Sequence, residues 1–166
     1  MLKLTIGGIL CFICAYLGIV GKQYYDRRYR YLRDYNDFLL MLSDGISYSK
    51  DRLPYICKKY VEGGKGAFCN NLKEYIELID GGSVREEDVK KCFEYKCLKK
   101  SDKILLREFF VELGKFDYDT QLSKLESNKA QLSKALQQAE KDSKTTGQML
   151  AKLGFVLGIA IMIILA

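Results

Sequence analysis

The sequence predicts an all-α protein, in which a small bundle of about six helices lies between two membrane-spanning helices at the chain ends. Residues 4–21 and 153–166 contain no charged side chain, so all 21 acidic and 26 of the 27 basic residues lie in 22–152, which carries a net charge of +5. Within that middle segment apolar residues recur at three- and four-residue steps, the period of an amphipathic helix. No segment alternates as a half-buried strand does.

The first uncharged segment is long enough to cross a bilayer. Its 18 residues, 4–21, rise about 27 Å as a helix, close to the roughly 30 Å hydrocarbon core. A cleaved signal peptide would carry its positive charge before the apolar run and a small-x-small site after it. Here the basic residues follow the run and no such site is present. We therefore predict a retained membrane helix over residues 1–22.

The second uncharged segment is shorter. Its 14 residues would rise only about 21 Å, but counting back to Gly147 gives a full span because the flexible stem of Lys152 can carry its ammonium to the interface. A re-entrant or interfacial helix is the alternative, yet the run LGFVLGIAIMIILA has no polar face. We predict a membrane helix over 147–166 and a helical bundle over 23–146.

Basic side chains flank both predicted spans on the same side, which places the bundle in the cytoplasm and both termini outside by the positive-inside rule. Tyrosines alternate with arginines directly after the first span. Such a pattern can bind single-stranded nucleic acid, but next to a span we predict contact with anionic lipid headgroups instead. The residues assigned to the membrane interface are Lys22, Arg27, Arg28, Arg30, Arg33 and Lys152.

The first three predicted helices of the bundle cover residues 23–48, 51–62 and the segment up to Asp80. The first has a continuous apolar stripe. Asp51 and Pro54 mark the start of the second, because proline is tolerated in a first turn. Glycines 63, 64 and 66 end it, and Asp80 ends the third. The residues of the first stripe are Tyr24, Tyr31, Leu32, Tyr35, Phe38, Leu39, Leu42 and Ile46.

Three further helices complete the predicted bundle. Ser83 and Glu86 form a capping box that opens a helix to about Leu98, and Ser101 or Asp102 caps the next, which closes at Gly114. The sixth helix starts after Asp117 and Asp119 and runs toward Gly147. Its residues form a heptad seam that Lys129 interrupts. The seam consists of Leu122, Leu125, Lys129, Leu132, Leu136 and Ala139.

The composition argues against catalysis. The chain has no histidine, which excludes a Ser-His-Asp triad, a Cys-His pair and nearly all catalytic zinc sites. The turn around Lys65 lacks the spacing and the preceding strand of a phosphate loop. Asp117 and Asp119 are predicted to cap a helix rather than to bind a cation. Cys11 and Cys14 have redox spacing but lie in an apolar helix, where a thiolate is disfavoured. We predict no enzyme activity, cofactor or metal.

Two stretches of the sequence resemble the stage III sporulation protein AB family of endospore-forming bacteria. The first runs from Tyr31-Leu32-Arg33 through Ile46-Ser47-Tyr48 to Leu53, and the second from Glu112-Leu113-Gly114 to Lys152-Leu153-Gly154-Phe155. Residues 55–100 match more weakly, and the tryptophan expected in the fourth helix is missing.

The resemblance implies a non-enzymatic membrane platform. The family is similar to the helical cytoplasmic domains of type II secretion F and type IV pilus platform proteins. It is thought to act in a secretion-like channel between mother cell and forespore, in the mother-cell membrane around the forespore, where it faces a cytoplasmic ATPase, stage III sporulation protein AA, and other membrane components. This complex is needed for forespore development after engulfment.

The docking surface for that ATPase is expected at the membrane-distal end of the bundle, around Gly63–Gly66 or Asp80–Ser83. The candidate docking residues are Lys58, Lys59 and Lys65. Two other functions remain open. One is a general type II secretion or type IV pilus-like platform outside sporulation, and the other is a lipid-binding helical bundle.

Overall fold

The computed structural model describes residues 2–49, 53–82 and 85–165, and every regular element in these ranges is helical, as predicted. Two π-helical segments, Gly45–Ser49 and Ser143–Gly147, follow α1 and α6. The predicted helix start at Asp51 and the Ser83 half of the capping box lie outside the described residues. The Glu86 half is wrong, because Arg85 is at the N-cap position and Glu86 is the first residue of its helix, whereas a capping box from Ser83 requires it to be the third. The α-helices are α1 Leu2–Asp44, α2 Leu53–Gly63, α3 Ala67–Asp80, α4 Glu86–Cys92, α5 Lys100–Glu112, α6 Tyr118–Asp142 and α7 Gln148–Leu165.

The chain forms two compact units. The central unit is Arg30–Leu136, and the terminal unit combines Met1–Tyr29 with Gln137–Ala166. Helices α1 and α6 contribute to both units. The boundaries predicted for the membrane helices, 1–22 and 147–166, stay predictions.

The apolar stripe that begins on α1 forms a large part of the core of the central unit. Every member from Tyr31 to Ile46 is buried, which confirms the predicted stripe, whereas Tyr24 belongs to the terminal unit and is exposed. Helix α1 runs without interruption from the apolar segment to Asp44, so the predicted first span and the first predicted bundle helix belong to one helix. Apolar residues recur at regular three- and four-residue steps along this helix, so it was the most direct prediction from the sequence.

Aromatic rings fill the centre of the central unit. Phe110 of α5 stacks on Phe93 with ring centroids 4.0 Å apart and meets the edge of Tyr75 at 4.9 Å. Phe38 and Phe68 pack on the same ring at 5.9 and 6.4 Å. Each aromatic pair contributes about 0.5–1.5 kcal/mol beyond its buried area, so this cluster joins α1, α3 and α5 strongly.

The buried tyrosines of this core satisfy their hydroxyl groups. Tyr35 donates to Asn128 Oδ1 at 2.6 Å, and Tyr75 donates to the carbonyl oxygen of Phe110 at 3.0 Å. Burial raises the pKa of both phenols well above the usual range, so the hydroxyls stay protonated donors. The polar groups therefore fix the relative placement of the helices that carry them.

Two predicted helix boundaries are wrong. Helix α4 ends at Cys92 and not near Leu98, because Phe93 leaves the helix and its ring packs on Phe110. Helix α5 starts at Lys100 with Lys99 as its N-cap residue. Ser101 is therefore not the cap, and Asp102 completes a capping box from the third helical position and does not occupy the N-cap position. The Asp102 carboxylate instead reaches back and accepts a hydrogen bond from the Lys99 amide at 3.1 Å, from a buried position in the first turn.

The α6 predictions are confirmed at the start of the helix and corrected along the seam. Asp117 accepts a hydrogen bond from the Thr120 amide at 3.4 Å. Hydrogen bonds from the Thr120 side chain and amide lower the pKa of the Asp117 carboxyl, as capping requires. In the seam, Leu125, Leu132 and Ala139 are buried, but the buried polar residue is Asn128 and not Lys129.

Within the terminal unit, α1 and α7 pack at very short range. A Cβ added to Gly154 would lie 2.6 Å from the Cys14 carbonyl oxygen and 3.0 Å from Gly18 Cα. At Gly158 it would lie 2.9 Å from Cys11 Sγ. Small residues at such positions let two apolar helices touch along their backbones. Among the described residues, Gly7–Ser47 and Tyr118–Ile164 are the two helical segments that contain a stretch long and apolar enough to cross a membrane.

Candidate functional site

Five of the six basic residues assigned to the membrane interface have side chains that are at least partly exposed. Arg27, Arg30, Arg33 and Lys152 are exposed, and Lys22 is half-buried. Long basic side chains in such positions can place their charge at a headgroup layer while their stems cover apolar surface. Their role at an interface stays a prediction.

Arg28 has different surroundings from the other five. Only 2% of the residue is exposed, and its Nη1 atom donates to Asp142 Oδ2 at 3.0 Å. Asp142 also accepts a hydrogen bond from Gln138 Nε2 at 2.8 Å. The guanidinium charge is therefore matched inside the terminal unit and not presented at the surface.

The three candidate docking lysines are exposed but do not converge on one point. Lys58 forms an ion pair with Asp80 at the end of α3, with Nζ 2.8 Å from Oδ2. Such exposed pairs contribute about 0–1 kcal/mol, so Lys58 remains available to a partner at little cost. Lys65 lies in the turn before α3, at the opposite end of that helix. Lys59 lies on α2 between them.

The end of α2 and the turn that contains Lys65 pack on α1 near the start of its portion in the central unit. Tyr60 donates to the Asp34 carbonyl oxygen at 2.7 Å, and a Cβ added to Gly66 would lie 3.0 Å from Asp34 Oδ2. Gly66 has φ = 128°, which favours glycine. Because Asp34 lies ten residues before α1 ends at Asp44, this turn is not at the end of the bundle where α1 finishes.

The end of the central unit where α2 begins contains a groove of about 610 Å³. Its surface is mainly apolar, with a single charged side chain, Lys115. Burial raises the pKa of the Cys57 thiol to about 12, so this cysteine is an apolar wall residue and not a nucleophile. The groove can hold an apolar side chain. Its lining includes Leu53, Pro54, Cys57, Ile79, Val111 and Lys115.

The described residues contain no group of three or more histidine, cysteine, aspartate or glutamate side chains placed to hold a metal ion. Asp117, the first residue of the predicted alternative cation pair, is engaged at the start of α6.

Two polar residues that form contacts between helices, the buried Asn128 and the half-buried Asp142, were missed by sequence reasoning. Asn128 accepts a hydrogen bond from the Tyr35 hydroxyl and lies on the buried face of α6. Its position directly beside the heptad seam was the signal in the sequence that could have revealed it. Asp142 pairs with Arg28, which is 114 positions away in the sequence. Because the two residues meet only after α1 and α6 pack, no local pattern marks that pair.

Comparison with known proteins is consistent with this helical architecture. The family model of stage III sporulation protein AB matches residues 3–166. A solved structure of stage III sporulation protein AB (SpoIIIAB) aligns with a TM-score of 0.62 and 22% sequence identity, covering 70% of this chain and 96% of that chain. At this identity the structural likeness shows a shared fold. Comparison with curated proteins gives no match.

The family match extends over both apolar segments and the whole bundle between them. Stage III sporulation protein AB is not a known enzyme family. Because the matched region includes all but the first two residues of the sequence, the chain belongs to the stage III sporulation protein AB family.

Proposed function

We propose that this sporulation protein is a non-enzymatic membrane platform of a secretion-like channel complex between mother cell and forespore. It couples a cytoplasmic ATPase to the membrane components of the channel and is required for forespore development after engulfment. The observation that carries the proposal is the family match over residues 3–166 on a helical bundle whose two ends are apolar helices.

The surface of the terminal unit supports a membrane location. Phe12 is 80% exposed and Ile164 is 82% exposed, although both are large apolar side chains. Apolar helices that pack through glycines and direct bulky residues outward have the design of membrane helices, since lipid is an apolar solvent. The basic residues next to the spans favour a cytoplasmic bundle in the mother cell.

The exposed lysines of α2 and the following turn support docking of an acidic partner surface. Three exposed lysines, Lys58, Lys59 and Lys65, place positive charge on the surface of the central unit. The ion pair that Lys58 forms with Asp80 is also exposed. Complementary charge speeds association and selects partners more than it increases affinity. In this proposal the partner is the cytoplasmic ATPase of the same complex, stage III sporulation protein AA.

Deletion of the gene in a spore-forming host that encodes it is expected to arrest forespores after engulfment. Membrane-dye microscopy would count engulfed forespores, and heat-resistant spores would be counted after sporulation. The intact gene supplied at a second locus is the control and should restore the spore count. Normal spores from the deletion strain would contradict the proposal. A defect in vegetative secretion or pilus assembly with normal sporulation would favour the general platform instead.

Charge reversal of the docking lysines is expected to weaken capture of the ATPase. The full chain in detergent micelles, with Lys58→Glu, Lys59→Glu and Lys65→Glu combined, should bind the purified ATPase more weakly by about 1.5- to 5-fold for each lysine that contacts it, because exposed charge pairs contribute about 0.2–1 kcal/mol. Biolayer interferometry at two salt concentrations would measure the change. Lys134→Glu, an exposed position on α6, is the matched control. Equal affinity of the triple variant and the control would rule out these docking residues.

A further inference from the structure

The segment between α4 and α5 is strongly basic. Three lysines, Lys96, Lys99 and Lys100, lie within five consecutive residues and all three are exposed, whereas the two residues between Lys96 and Lys99 are buried and fix the segment to the core. Residues 94–107 contain five basic and two acidic side chains, a net charge of +3. We refer to the three exposed lysines as the basic cluster.

The two acidic side chains of this segment already have other partners. Glu94 Oε1 lies 2.8 Å from Arg107 Nη2 and 3.7 Å from Lys103 Nζ. Asp102 is 1% exposed, and its carboxylate accepts a hydrogen bond from the Lys99 amide. The segment therefore presents an excess of positive charge at the surface of the central unit.

The dipole of α5 does not favour two of the cluster charges. Lys99 is the N-cap residue of α5 and Lys100 is its first helical residue. A helix dipole places partial positive charge at this end, so positive side chains are disfavoured there and negative groups are favoured. A negatively charged group from outside the bundle would relieve this unfavourable arrangement.

The basic cluster lies at the end of the central unit where α1 enters it. Tyr95 stacks on Tyr31 of α1 with ring centroids 5.0 Å apart. Phe110, later in the chain, stacks on Phe38, later in α1, at 5.9 Å. Helix α5 therefore runs in the same direction as α1, and the residues at its start lie beside the first α1 residues of the central unit.

Helix α1 connects this end of the central unit to the first predicted span. Arg30, the first residue of the central unit, follows Gly21, the last residue of the first uncharged segment, by nine positions. In the continuous helix α1 these positions rise about 14 Å. A headgroup layer takes up about 5–7 Å of that distance, and the rest is close to the Debye length of about 8 Å at physiological ionic strength. Lipid headgroups are therefore the anionic surface that the predicted topology brings nearest to this end.

We propose that the basic cluster binds the phosphate groups of anionic phospholipids in the membrane that contains the first span. The basic residues beside the predicted spans are then not the whole headgroup contact, because the fold adds a segment from between α4 and α5. Contact at this second segment holds the α1-entry end of the central unit against the bilayer. The inference rests on the membrane location in the proposed function and is independent of the channel and its ATPase.

Amine acetylation of the full chain in lipid nanodiscs tests this contact. Discs of phosphatidylcholine are compared with discs of phosphatidylcholine and phosphatidylglycerol in equal parts. An uncharged reagent, N-hydroxysuccinimidyl acetate, modifies the neutral amine, and mass spectrometry measures the rate at each lysine. Phosphatidylglycerol should slow the reaction at the basic cluster by about fivefold, the factor that corresponds to about 1 kcal/mol for a lysine near an anionic surface. High salt should remove the difference, because ions screen exposed charges.

Two lysines outside the cluster make the result decisive. Lys115 is exposed beyond the other end of α5 and should react at the same rate in both kinds of disc. Equal slowing at Lys115 would overturn the inference. Lys152 is exposed next to the second predicted span, so it reports the membrane location. Slower reaction at Lys152 with unchanged rates at the basic cluster would overturn the inference and leave the proposed function intact.

Two further outcomes are distinguishable. Absence of the chain from the discs would contradict the membrane location in the proposed function and this inference with it. Protection of the basic cluster by the purified ATPase in phosphatidylcholine discs, with no effect of phosphatidylglycerol, would assign the cluster to a protein partner and overturn the inference alone.

Substitution of the basic cluster provides an independent test. The variant of the full chain combines Lys96→Gln, Lys99→Gln and Lys100→Gln. Native mass spectrometry in detergent micelles, with phosphatidylglycerol as the titrated ligand, should show an affinity lower by about fivefold for each lysine that contacts a phosphate. Binding of phosphatidylcholine should not change, because its headgroup carries no net charge.

The matched control for this variant combines Lys58→Gln, Lys59→Gln and Lys115→Gln, three exposed lysines outside the cluster. It removes the same charge from the central unit and should keep the affinity of the native chain for phosphatidylglycerol. Equal affinities of the two triple variants would overturn the proposal.

Discussion

Replacement of Phe110 by alanine is expected to lower the free energy of unfolding of the central unit by about 3–5 kcal/mol, the usual cost of removing a buried phenylalanine ring. Phe110 is 1% exposed, and its ring touches rings from α1, α3 and the segment after α4. The lost ring leaves a cavity among aromatic neighbours that are themselves fixed by hydrogen bonds, such as Tyr75. The surrounding residues therefore cannot collapse freely into the space.

Amide hydrogen exchange of the full chain in detergent micelles would measure this change, with the slowest α5 amides as the readout, since their opening free energies approach the global value. Phe116→Ala is the matched control. Phe116 is 41% exposed, and Lys124 Nζ lies 4.0 Å from the centre of its ring. The control should change stability by less than about 1 kcal/mol. Similar losses in the two variants would show that the aromatic cluster does not dominate the core.

Replacement of Gly154 by leucine is expected to separate the two apolar helices of the terminal unit. The added Cβ would stand 2.6 Å from the Cys14 carbonyl oxygen and 3.0 Å from Gly18 Cα. Both are backbone atoms, which cannot rotate away as a flexible side chain does. The cost should therefore reach or exceed the 1–3 kcal/mol typical of overpacking.

The link between Cys11 and Gly158→Cys, formed by oxidation of the full chain, would measure the separation. Its yield should fall about tenfold or more in Gly154→Leu, in proportion to that cost. Gly8→Leu is the matched control, because a Cβ added at Gly8 meets nothing within 4 Å. An undiminished link in Gly154→Leu, or equal losses in both variants, would contradict close backbone packing at Gly154.

Long periodic patterns were the reliable part of the sequence. The stripe from Tyr31 to Ile46 predicted a buried face that the structure confirms, because a helix that packs on a core repeats apolar residues at every turn. Along the α6 seam the structure confirms burial of Leu125, Leu132 and Ala139. The end of α4 was not predictable in this way. Its last turn is replaced by a bend at Phe93, whose ring is buried by residues far away in sequence.

Polar positions were the less predictable part. Lys129 was the evident interruption of the α6 seam, yet Asn128 is buried, since Tyr35 supplies its hydrogen bond from α1. Arg28 looked like four neighbouring basic residues in the sequence, but it is buried and donates to Asp142. A charged side chain is stable inside a protein only where a group of opposite charge lies beside it. For Arg28 that group lies on another helix, so the sequence around Arg28 does not reveal it.

By itself, the sequence determined that the chain is helical, that its two ends are apolar and that a basic segment lies between them, because composition and periodicity are local properties. It also carried the family resemblance that the comparison confirms. Only the tertiary structure decided which residue of each neighbouring pair faces inward, such as Gly158 instead of Leu157. A π-helical segment, Ser143–Gly147, precedes α7, and an extra position in a helical turn rotates every later residue without changing the composition.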